Sequence, residues 1–382
     1  MIDSVIDSLK LAGLPTYQFL KRTLDELSAN AEDLRPIVQA FKNDQHLRIG
    51  VRDIVGADRI RETHRALSDV AEAILQCVAQ KQLDLLSAKY GQPLLPDGTL
   101  CELAILAMGK LGGRQPNYHS DLDVVFLYQA NGTTASESNA TSNQHFFSEV
   151  GQAIIRFITQ FDALGQLYEI DCRLRPSGKS APLAVSFDEF AKYFASGKAQ
   201  SWERLAMCKA RPVFGSRPVR KQMEHLVTNA IQSQEWSPKT LVELREMRFR
   251  MEQSCHRNNI KRSAGGTVDV EFIIQMLQLR HGKLAPEVLR SGMFEAAERL
   301  NECGFLANFD YLELTRSYSY LRDVESRIRL MNTEARHDLP DDEADLARLA
   351  FLLNEDPTDV LDQVTECRTV NRELFLKYFE TS

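Results

Sequence analysis

The stretch Glu102–Tyr128, ELAILAMGKLGGRQPNYHSDLDVVFLY, decides how the rest of the chain is read. It opens with a short apolar run, Glu102–Met108, that stops at Gly109, the pattern of a buried strand meeting a turn. Its closing run, Asp121–Tyr128 (DLDVVFLY), is rich in β-branched and aromatic residues, which favour strand. Between them stands Gly109-Lys110-Leu111-Gly112-Gly113. Closely spaced glycines let backbone N–H groups approach phosphate oxygens, and a helix starting there adds its dipole. The spacing matches neither GxGxxG nor GxxxxGK[ST], so it is neither a Rossmann nor a P-loop fingerprint. Strand alternation puts the carboxylates of Asp121 and Asp123 on one face. Side-by-side carboxylates repel unless a cation neutralises them, and carboxylates with water are the preferred ligands of Mg²⁺.

Downstream, Leu167–Arg175 alternates, with Tyr168, Ile170, Cys172 and Leu174 on one face and Glu169, Asp171, Arg173 and Arg175 on the other. That pattern predicts a half-buried strand with a charged face. Were it a neighbour of Asp121–Tyr128, Asp171 would join Asp121 and Asp123. Three converging carboxylates can hold two Mg²⁺ ions for phosphoryl or nucleotidyl transfer. The order of strand, glycine turn, Ser120-Asp121-Leu122-Asp123 and a later acidic strand is the order expected of a nucleotidyltransferase fold.

The flanks are helical. Tyr17–Leu27 and Ile60–Tyr90 place apolar residues at three- and four-residue steps, and Gly91–Thr99, with Pro93, Pro96 and Gly98, breaks the pattern. Ala130–Asn143, dominated by Asn, Thr, Ser and Ala, is expected to be a loop, and His145–Phe161 a helix. Trp202-Glu203-Arg204 and Lys209-Ala210-Arg211 are expected on one helix. From Leu241 the helical period returns, through Val268–Leu279, Phe309–Met331 and Ala344–Leu353. The expected class is α+β and predominantly helical. An N-terminal helical region (1–95) and a C-terminal helical bundle (236–382) flank a nucleotidyltransferase core with a small mixed sheet (96–235).

Composition narrows the classes further. The 382 residues are 43% apolar and 26% charged with a net charge of −7, an ordinary soluble pattern without the basic surface of a nucleic-acid binder. No apolar stretch approaches the ~20 residues that span a bilayer, and the start carries no basic segment followed by an apolar run. The seven scattered cysteines form no CxxC pair, which suits reduced thiols and a cytoplasmic location.

The Met108–Tyr128 block resembles the adenylyltransferase family that modifies glutamine synthetase (glutamate–ammonia ligase). So do FKNDQHLRIGVRDIVG (Phe41–Gly56), YEIDCRLRPSGKSAPLAVS (Tyr168–Ser186), SWERLAMCKARPVFG (Ser201–Gly215) and AGGTVDVEFIIQMLQLR (Ala264–Arg280), in the family's order. Enzymes of that family carry two related catalytic units. One attaches AMP from ATP to a glutamine synthetase tyrosine, and the other removes it by phosphorolysis. This chain holds one unit. Asp269 and Leu174-Arg175-Pro176-Ser177-Gly178 look like the adenylylating half, whereas SWERLAMCKAR has the flavour of the removing half.

The resemblance implies that Asp121, Asp123 and Asp171 bind Mg²⁺, with two ions bridging the ATP phosphates. Asp171 would also help activate the tyrosine hydroxyl. Gly109, Lys110, Gly112, Gly113 and Ser120 are candidate triphosphate contacts. Arg173, Arg175 and Lys179 are candidates for orienting carboxylates or binding phosphate, and Asp269 for lining the site. The implied partners are glutamine synthetase and the nitrogen-signalling PII protein. Two other functions stand beside AMP transfer: phosphorolytic removal of AMP, and a non-catalytic module that binds nucleotide or PII.

Overall fold

The computed structural model describes residues 13–29, 31–161, 163, 165–332 and 336–380, without the side chain of Lys179. The chain forms two compact units. The first comprises the described residues up to Pro116, with Ser120–Ala199 and Lys209–Ala230. The second comprises Asn117–His119, Gln200–Cys208 and the chain from Ile231 onwards.

Among the described residues the first unit begins with α1 (Tyr17–Ser28), α2 (Leu34–Ile54) and α3 (Ile60–Tyr90). The Thr16 side chain caps α1 by accepting from the Phe19 N–H, and Glu62 reaches back to the Arg59 N–H at the start of α3. The α3 stripe Leu67, Val70, Ala71, Ile74, Leu75 and Val78 is buried. Glycine-bounded β1 (Gln92–Pro93) then pairs antiparallel with β4 (Thr134–Ala135), so the expected loop Ala130–Asn143 contains a short strand.

The main sheet is mixed. Its core is β2 (Leu103–Ala107) antiparallel to β3 (Leu122–Tyr128), with β7 (Arg211–Phe214) antiparallel to β2 on the far side. Every residue of β2 is buried, as is β3 except at Asp123, so these strands read as apolar runs instead of alternating ones. Two short strands share the outer edge of β3, both parallel to it. The first, β5 (Ile170–Asp171), lies at its start, and β6 (Ala184–Ser186) lies at its end. A parallel neighbour requires a crossover, supplied here by α5 (Asn143–Thr159), which packs on β3 and on α3. A one-turn helix, α4 (Gly109–Gly112), follows β2, and α6 (Phe187–Ala195) follows β6.

Two expectations fail in detail. The strand expected over Leu167–Arg175 survives only as Ile170–Asp171. Asp171 Oδ1 accepts the backbone N–H of Arg173 at 2.8 Å, an Asx turn that takes the ladder donor away. The helix expected across Trp202–Arg211 ends at Met207 (α7, Ser201–Met207), and Arg211 begins β7.

The second unit is helical. After α8 (Arg217–Ile231), which leads out of the first unit, come α9 (Pro238–Gln253), α10 (Thr267–His281), α11 (Met293–Glu302), α12 (Asn308–Leu330), α13 (Glu343–Leu353) and α14 (Pro357–Glu380). Helix α10 is buried almost all round, from Thr267 to Leu279, which marks it as the central helix of this unit. A second cluster joins Ile260, Leu321, Val324, Ile328, Leu349, Val360 and Val364. Charges are buried here too. Arg248 pairs with Asp269 at zero exposure on both sides, and Glu325 is met by Arg322, Arg329 and His337.

Breaking a buried pair leaves a charge stranded, at a cost of about 3–5 kcal/mol. Arg248→Met is therefore expected to lower the urea midpoint sharply, and Arg248→Met/Asp269→Leu to recover most of the loss. Equal midpoints for the two variants would contradict this.

Candidate active site

The site is built on a register. Asp123 of β3 stands opposite Asp171 of β5 in the parallel pair, and opposed residues of parallel strands project to one face. Asp121, two residues earlier, shares that face. One carboxylate oxygen from each of Asp121, Asp123 and Asp171 lies within 4.8 Å of the other two. Asp121 is exposed and the other two half-buried, so the cluster opens to solvent.

Arg173 leans back onto Asp171, its Nε 2.7 Å from Oδ2 and 3.0 Å from Oδ1. That pairing raises the Arg173 pKa further, and Asp123 and Asp121 add to the effect. The guanidinium thus supplies local countercharge to all three acids. Between Asp171 and Arg173, burial pushes the Cys172 thiol up to about 12, so it is not a thiolate at neutral pH.

The glycine turn has a different role from the one expected. Gly109 has φ +53°, and a Cβ there would fall 2.2 Å from Asp123 Oδ2, so the Asp123 carboxylate lies over the bare Cα. The Gly112 N–H donates to Met108 O and the Gly113 N–H to Gly109 O, so both amides are used inside the turn. A Cβ on Gly112 would meet Lys209 O at 1.9 Å. Gly112 is therefore tightly packed, and the amides of Gly112 and Gly113 are engaged within the turn. Lys110 lies half-buried on the same turn, and Ser120 is buried immediately before Asp121.

The remaining candidates part company. Arg175 donates to Cys172 O (2.7 Å), Pro182 O (3.2 Å) and Ala181 O (3.3 Å), holding the loop after β5 and not a carboxylate. The chain has turned after Arg173, so Arg175 no longer shares a strand face with Asp171. The Lys179 side chain lies outside the described residues. Asp269 is fully buried against Arg248, with Arg372 at 3.4 Å, and burial raises its pKa. It closes a structural ion cluster in the second unit and lines no open site.

Two supports were not foreseen. Asp69 pairs with Arg114, and Glu72 pairs with Arg211 at 2.8 Å; Arg211 also donates to Gly112 O at 3.2 Å. The acids of α3 thereby hold the glycine turn from behind. A sequence signal existed: Asp69, Glu72 and Gln76 recur at three- and four-residue steps among the apolar residues of α3.

The donor set suits a hard divalent cation. All three groups are carboxylates, close enough to share one ion or two, in a setting where water completes the coordination.

Comparison with known proteins identifies the family. Residues 1–226 match the family model described as glutamate-ammonia ligase adenylyltransferase, and residues 236–377 match that of GlnD PII-uridylyltransferase. The chain is 32% identical to a bifunctional glutamine synthetase adenylyltransferase/adenylyl-removing enzyme of Shewanella loihica, over 84% of this chain and 34% of that protein. For the protein of the same name from Vibrio parahaemolyticus the figures are 30%, 93% and 38%, and for that of Thioalkalivibrio sulfidiphilus 31%, 84% and 33%. The chain spans about a third of the length of the curated relatives it matches. It belongs to the glutamate–ammonia ligase adenylyltransferase family.

A cation that binds the folded cluster stabilises the fold by mass action, by about 2.7 kcal/mol at a hundredfold excess over Kd. Mg²⁺ is expected to raise the melting temperature of the wild type and to leave that of Asp123→Asn unchanged. The metal-free variant should be no less stable than the metal-free wild type, because one of three crowded charges is gone. A cation effect of equal size in both proteins would refute the assignment.

Proposed function

We propose that this chain is an adenylylating unit: it transfers AMP from ATP to a tyrosine hydroxyl of glutamine synthetase in an Mg²⁺-dependent reaction. The observation that carries the proposal is the meeting of Asp121, Asp123 and Asp171 across the β3–β5 register. Family membership supports it, since the relatives bear the name of an adenylyltransferase and adenylyl-removing enzyme.

Asp121, Asp123 and Asp171 would hold the metal. A Mg²⁺ ion held by these carboxylates would supply positive charge to offset that of the phosphates. The bond that forms joins the tyrosine oxygen to the α-phosphorus, and the bond that breaks releases pyrophosphate. Little covalent work falls to the protein, so positioning dominates. Asp171 receives the hydrogen bond of the incoming hydroxyl, and Arg173 holds the Asp171 carboxylate in orientation. Lys110, within the glycine turn, and Ser120, immediately before Asp121, remain the residues assigned to the triphosphate.

The protein substrate enters through the relatives' names. For PII, the supporting observation is the match of residues 236–377 to a PII-uridylyltransferase model. Among the described residues no helix is long and apolar enough to cross a membrane. All seven cysteines are free, in keeping with a reducing, cytoplasmic setting.

With Mg²⁺, ATP labelled on the α-phosphate and unmodified glutamine synthetase, label is expected on the synthetase. Asp121→Asn and Asp123→Asn should each lower the rate by about 100-fold or more while the fold persists. No label transfer, together with phosphate-dependent release of ADP from adenylylated synthetase, would assign the chain to the removing half. Inertness in both assays would favour the non-catalytic module.

A further inference from the structure

Most of the block Phe41–Gly56 lies on α2, and the site as described gives it no work. Its neighbours suggest one. Arg35, Lys42 and His46, spaced seven and four residues apart, lie on one face of α2. Arg35 donates to three backbone carbonyls: Phe157 O at 3.1 Å, Gln160 O at 2.7 Å and Gly165 O at 2.7 Å. Lys42 donates to Gln166 O at 3.3 Å and to Leu167 O, and its ammonium lies 4.6 Å from the centre of the Tyr168 ring. His46 Nε2 is 3.2 Å from the Tyr168 hydroxyl. One helix face thus engages the chain from the end of α5 to Tyr168, three residues before Asp171.

Strand β5 needs such help. Two residues of pairing specify register weakly, and a one-residue slip would turn Asp171 to the opposite face of the sheet. The contact is also an expensive way merely to fill space. Burial, with Arg35 nearby, lowers the Lys42 ammonium to about 8, a cost that an apolar side chain would not incur.

We propose that the basic face of α2 positions Asp171: Arg35, Lys42 and His46 fix the backbone ahead of β5 so that its carboxylate meets Asp121 and Asp123. Lys42 is a positioning residue, acting through the loop and Tyr168. The proposal rests on the carboxylates being a metal site, and the test separates the two ideas.

The probe is Mn²⁺, titrated into the full chain and followed by the EPR signal of the free ion. Wild type should bind saturably and Asp171→Asn should lose most of that binding. Lys42→Met, folded by circular dichroism, should bind about 10–100-fold more weakly, the usual cost of removing support behind a metal ligand. Lys42→Arg, which keeps cation and donors, should recover much of it. Wild-type affinity in Lys42→Met beside lost affinity in Asp171→Asn would overturn the positioning role and leave the metal site standing. Absent binding in wild type, or unchanged binding in Asp171→Asn, would overturn the metal site and the inference with it. Should Lys42→Met not fold, His46→Phe takes its place. It removes the Tyr168 hydroxyl contact, and weakened Mn²⁺ binding supports the proposal where unchanged binding overturns it.

Discussion

Two acids facing each other across a parallel strand pair set the terms for the rest of the first unit. Asp123 and Asp171 are partners in register, and Asp121 shares their face, so folding brings together like charges that water would keep apart. The sheet tolerates this because the remainder of β3, Val124 to Tyr128, is completely buried. Each large apolar side chain so buried contributes about 1.5–3 kcal/mol, against roughly 0.2–1 kcal/mol for an unfavourable cross-strand pair. Neighbouring features follow from the same constraint. Gly109 has no side chain because the Asp123 carboxylate occupies that space, and Arg173 folds back because Asp171 needs a partner.

The second unit handles buried charge in the opposite way. Asp269 and Glu325 are each enclosed with guanidinium groups and closed to solvent. Such clusters hold helices together. The acid of the block Gly265–Glu271, Asp269, is therefore closed inside an ion cluster, while the acids around Asp121 stand open to solvent, although both blocks place acidic residues after glycines.

Much of this was legible in the sequence. The helical period of Ile60–Tyr90 gave α3 to the residue, and the apolar runs on either side of GKLGG gave β2 and β3 within a residue or two. The pairing of Asp121 with Asp123 follows from strand alternation alone. Other features depend on contacts that no local pattern contains. Alternation over Leu167–Arg175 promised a long strand, but an Asx turn at Asp171 ended it, and with it the shared face of Arg173 and Arg175. The glycines looked like a phosphate cradle because spacing cannot show where their amides point. Gly112 and Gly113 use theirs within the turn. Arg204, which the sequence marks only as a charged position on a helix, is fully buried and bonded to Ile231 O and Gln234 O.

The brevity of β5 has a consequence for how this site can change over generations. A residue gained or lost in the few positions before Asp171 would rotate its side chain away from the cluster while removing almost no buried surface. The protein would still fold, with Asp121 and Asp123 in place and the third carboxylate turned away. Insertions and deletions there are thus a short path to a relative of the same shape whose acids no longer converge.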